Sequence, residues 1–84
     1  MTQFIYNKNY DILQIKIKEP SLSNSFFFIS VYEYKPNVYL IKDNRNNELM
    51  KVTIMKYNNN KKFLNELCKE LKINFSLKQI ENLS

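Results

Sequence analysis

The chain has 84 residues and a net charge of +5, with 44% hydrophobic and 25% charged residues. That describes one globular domain with room for one modest core. It contains no His and no Gly. The side chain best suited to proton transfer near neutral pH is therefore missing, and phosphate-cradling loops, which need Gly for close backbone approach, are excluded.

The opening stretch "MTQFIYNKNYD" has neither a basic leader nor an apolar run, so no signal peptide is expected. "QFIY" is a weak candidate strand. From Leu13, "LQIKIK" puts Leu13, Ile15 and Ile17 on one face and Gln14, Lys16 and Lys18 on the other, the pattern of a half-buried strand. "EPSLSNS" breaks it, because Pro20 removes a donor and Ser and Asn favour loops.

"FFFISVYEY" is the strongest strand, rich in aromatic and β-branched residues. It is far short of the ~20 apolar residues of a membrane span. "KPN" follows, with Pro36 suited to the first central position of a type I turn, so "VYLIK" returns as a hairpin partner. "DNRNNE" makes a longer turn and "LMKVTIMKY" the next strand. With no Gly, positive-φ turn positions fall to Asn.

After "NNN" the period changes. Phe63, Leu64, Leu67, Cys68 and Leu71 form one apolar stripe of an amphipathic helix, with an Asn of that run available as N-cap. Ser76 and Gln79 fit a capping box, and Phe75 and Ile80 a hydrophobic staple, marking a short second helix.

The expected fold is α+β: an antiparallel sheet of four or five strands, built as a meander of hairpins over residues 1–57. A helical hairpin over 60–83 covers one face, all within a single domain. That covered face collects Leu13, Ile15, Ile17, Phe27, Ile29, Val31, Val38, Leu40, Met50, Val52 and Ile54. The opposite face collects Lys16, Lys18, Phe28, Tyr32, Tyr34, Tyr39, Lys51 and Tyr57, with Phe26, Ile41 and Met55 among them. Tyr34 and Tyr39 are expected side by side across the "KPN" turn. This aromatic–lysine face is the candidate partner-binding site.

The ending "LCKELKINFSLKQIENLS" looks like the helix, turn and helix of a DNA-reading motif. The pattern fails at Lys72, where the turn usually takes Gly, and at Lys78 and Glu81, where apolar residues belong. A helical cover for the sheet is the expectation instead.

Chemistry finds no foothold in the sequence. Glu66 and Glu70 lie on the solvated helix side beside Lys69. The "DNRNNE" turn has Arg45 where a calcium loop needs an oxygen ligand. Cys68 can form neither an internal disulfide nor a thiolate zinc site alone, and it sits on the apolar stripe as filler. No enzyme activity, cofactor or metal is expected.

What remains is a small cytoplasmic binding protein that docks on a larger protein or ribonucleoprotein complex. Minimal size and an excess of Asn, Lys, Ile, Tyr and Phe suit a phage or mobile-element inhibitor of a host nucleic-acid-handling complex, of the anti-CRISPR kind. The alternatives are direct nucleic-acid binding by the same face or by the C-terminal helices, and homo-oligomerisation through edge strands.

Overall fold

The alternating aliphatic residues form five strands in a computed structural model that describes residues 2–18, 29–76 and 78. Strand β1 spans Gln3–Asn7, β2 Ile12–Lys16, β3 Ile29–Lys35, β4 Val38–Asp43 and β5 Glu48–Met55. All neighbours pair antiparallel in the order β1-β2-β5-β4-β3. The sheet is thus a β1–β2 hairpin joined to a β3–β4–β5 meander, with β2 against β5 rather than β3. Strand β5 takes the centre because it is the longest and buries Met50, Val52 and Ile54 in strict alternation. Strand β3, carrying Glu33 and Lys35, lies at an edge, where charges discourage further pairing.

Two rows of cross-strand partners make the covered face. One runs Phe4, Ile15, Val52, Leu40 and Tyr32, the other Tyr6, Leu13, Ile54 and Val38. Onto them packs a helical segment of α1 (Tyr57–Asn60), one 3-10 turn (Lys61–Phe63) and α2 (Leu64–Glu70). Leu64, Leu67, Cys68 and Ile73 are buried against Leu13, Ile15, Leu40 and Val52. Each such side chain contributes roughly 1.5–3 kcal/mol by leaving water. Phe75 adds an edge-on contact to Phe4 at 6.4 Å.

The turns show how a chain without Gly reverses direction. Positive φ falls on Asn47 as expected, but also on Asn37, Asp11, Lys56 and Lys72. Lys56 matters most. Its left-handed backbone (φ 52) ends β5 and breaks the strand parity at Tyr57. By alternation Tyr57 would share the open face with Met55. Instead it begins α1 on the covered side, 4% exposed and tilted against Tyr6 at 5.3 Å.

Four further expectations are corrected. Phe63 does not join the buried stripe: the 3-10 turn changes the helical phase and leaves it 52% exposed. The Asn run does not cap the helix, because Asn58, Asn59 and Asn60 lie inside α1. Asn37 has φ 68, the mark of a type II turn after Pro36 rather than type I. Finally, Ile29 and Val31 leave the core for the open face. Phe26, Phe27 and Phe28 lie outside the described residues, as does most of the expected second helix beyond Ser76. Among the described residues no helix is long and apolar enough to cross a membrane.

Candidate binding surface

One bulge decides which residues the open face presents. The loop joining β3 to β4 is Pro36–Asn37, with Lys35 opposite Val38. Without irregularity, Tyr34 would then face Tyr39, and Tyr32 would face Ile41. The register instead shifts between Glu33 and Lys35, so that Glu33 pairs with Tyr39, Tyr32 with Leu40 and Val31 with Ile41. An unprimed turn matches strand twist poorly, and a bulge beside it absorbs the mismatch. The extra residue is Tyr34, and β3 is turned over by it.

Tyr32 and Tyr34 therefore lie on the helix side. The Tyr34 hydroxyl donates to Glu70 at 3.1 Å, and the Lys35 ammonium reaches the same carboxylate at 2.9 Å. Those two donors hold the Glu70 carboxyl below its ordinary range, the lysine bond first. Tyr32 lies under the Lys42 ammonium, 5.5 Å from its ring centroid. Both tyrosines brace the β3 edge on the helix side. The expected Tyr34–Tyr39 pair does not form.

The predicted site residues consequently separate. Tyr39, Lys16 and Lys51 do share the open face. Tyr32 and Tyr34 are behind the sheet, Tyr57 is in the core, and Lys18 is tied to Glu48 in an ion pair. Phe28 lies outside the described residues. Sequence reasoning placed Ile29 and Val31 in the core, because aliphatic side chains in alternation read as core, and it assigned Ile5 to neither face.

Three rows cross the open face. Val31, Ile41, Lys51, Lys16 and Gln3 are successive partners, and so are Glu33, Tyr39, Thr53, Gln14 and Ile5. Met55, Ile12 and Asn7 make the third. Val31 is 62% exposed, Ile5 43% and Met55 38%. A shallow groove at the β3 side is walled by Ile29, Val31, Tyr39, Ile41, Lys51 and Thr53, all from the sheet itself.

A second concavity of about 390 Å³ lies between the Pro36 turn and the helices, walled by Val38, Ile54, Phe63, Leu64 and Leu67 with Lys35 and Glu66. Its floor is made by the core side chains Val38, Ile54, Leu64 and Leu67, so it is the end of the helix–sheet seam.

The β4–β5 turn carries its own matched charge pair. Asp43 is held by the Arg45 guanidinium at 2.8 and 3.1 Å and by the Arg45 backbone N–H at 2.9 Å. These bonds lower its pKa to about 2. Cys68 is buried, and burial raises its thiol to about 11, which leaves it protonated and unreactive. Among the described residues, no group of three carboxylate or thiol side chains comes together to hold a metal ion.

Among the described residues the architecture is α+β, a five-stranded antiparallel sheet covered by helices on one side. Neither family models, nor curated proteins, nor solved structures give a match to this chain.

Proposed function

We propose that this chain is a small non-enzymatic binding protein that docks on a larger protein partner through the open face of its sheet. The observation that carries this is the set of exposed aliphatic side chains Val31, Met55 and Ile5, with half-buried Ile41 beside Val31, on a face whose groove is walled by strands alone. A rigid sheet presents such residues at fixed spacing, with little side-chain entropy lost when a β-branched residue is covered.

The β3 bulge also favours protein over nucleic acid as the partner. Base stacking needs aromatic platforms, and of Tyr32, Tyr34, Tyr39 and Tyr57 only Tyr39 is on this face. An Asn- and Lys-rich composition supports an inhibitor of phage or mobile-element origin, acting by occupying a host complex.

The test is site-specific photo-crosslinking in the native host. A photoreactive residue at Val31 or Met55 is expected to give one discrete protein adduct, and the same residue at Lys62 or Asn65 on the helices none. Adducts from the helix positions alone would overturn the assignment.

A further inference from the structure

Lys16 and Lys51 are direct cross-strand partners at the centre of the open face. Like charges in that position repel and lower the stability of the pairing, and both side chains are half-buried. The carboxylates near other cations are committed: Glu48 to Lys18, Asp43 to Arg45 and Glu70 to Lys35. Asp11 accepts from Tyr6 and Asn58. Glu33, on the same face, is opposite Tyr39 at the β3 edge, not opposite either lysine. Among the described residues neither ammonium has an ion-pair partner.

Next to Lys51 in the same row stand Ile41 and then Val31. Adjacent strands are about 4.8 Å apart, so the row changes from aliphatic to dibasic within the width of one short partner segment. A second copy of this chain placed face to face would bring two such lysine pairs together. The charge arrangement therefore disfavours self-association through this face and favours the opposite sign.

Building on the docking face proposed above, we infer that its partner is an acidic protein segment, in which a carboxylate seats between Lys16 and Lys51 and neighbouring aliphatic side chains fill the groove beside Val31 and Ile41. The lysines set the charge of the partner, and the aliphatic row sets its register.

Three synthetic peptides of equal length, alternating leucine with glutamate, glutamine or lysine, are titrated into the isotope-labelled full chain while backbone amide shifts are followed. The leucine–glutamate peptide is expected to bind about tenfold more tightly than the glutamine one, with shifts centred on Val31, Ile41, Lys51 and Lys16. Lys16→Met with Lys51→Met is expected to erase that preference without lowering the melting temperature. Equal binding of the glutamate and glutamine peptides on this face overturns the acidic partner and leaves the docking face standing. Shifts confined to the groove beside Phe63, or no binding by any peptide, overturn both. Tighter binding of single-stranded oligothymidylate to Lys16 and Lys51 assigns the lysines to phosphate and overturns the protein partner.

Discussion

Asp11, in the β1–β2 turn, accepts the backbone N–H of Asn58 at 3.1 Å, so the first turn of α1 is capped from 47 residues away. The same carboxylate accepts the Tyr6 hydroxyl at 2.6 Å, and the Asp11 carbonyl accepts the Tyr57 N–H at 3.0 Å. One residue thus fastens the hairpin to the helix that covers the sheet. Asp11→Ala is expected to cost ~1–2 kcal/mol in chemical denaturation, as loss of a helix cap does. Asp11→Asn, which keeps an acceptor and tolerates φ 54, should cost less. Equal losses in the two variants would show that the cap contributes nothing.

Lys72 closes α2 in a left-handed conformation (φ 57), and the Ile73 N–H reaches back to the Cys68 carbonyl at 2.8 Å. This six-to-one bond is the Schellman arrangement, in which Gly is the favoured residue. Lys72→Gly should therefore stabilise the fold by up to ~1 kcal/mol, relieving the contact between Cβ and the carbonyl. A lowered melting temperature would contradict the assignment.

Acid should loosen the β4–β5 turn. Asp43 is held at about 2 against an ordinary 3.8 by Arg45. A carboxylate depressed on folding adds stability that is full above its unfolded pKa and lost as pH falls through the folded one. Denaturation midpoints should decline from about pH 4 toward pH 2, and Asp43→Asn should flatten that limb. It will not abolish it, because Glu70 is depressed as well. An unchanged acid limb in the variant would remove Arg45 as the cause.

Cys68 is 0% exposed, and burial raises its pKa to about 11. Alkylation at mildly alkaline pH is expected to be slow in the native protein and to follow the rate of opening, with rapid labelling in denaturant. Native labelling as fast as that of a free thiol would mean that the helix–sheet seam is open.

Much of the fold was legible because burial on one side of a sheet imposes a period of two. Leu13, Ile15, Val38, Leu40, Val52 and Ile54 stand where alternation placed them. The site was less legible because two single residues reverse parity without marking it in composition. The bulge at Tyr34 exchanges Val31 for Tyr32, and left-handed Lys56 sends Tyr57 inward. An apolar residue on the wrong side of a bulge has the same sequence signature as core. Only backbone geometry separates the two.

The central claim is that the open face, not the tyrosine-braced edge, does the docking. The most direct measurement is the affinity of two double variants for the partner captured through Val31, alongside their melting curves. Val31→Gln with Ile41→Thr is expected to weaken binding about tenfold or more with little change in melting temperature. Tyr32→Ala with Tyr34→Ala is expected to lower the melting temperature and leave affinity nearly unchanged. The reverse pattern, affinity lost with the tyrosines and kept without Val31 and Ile41, would contradict it.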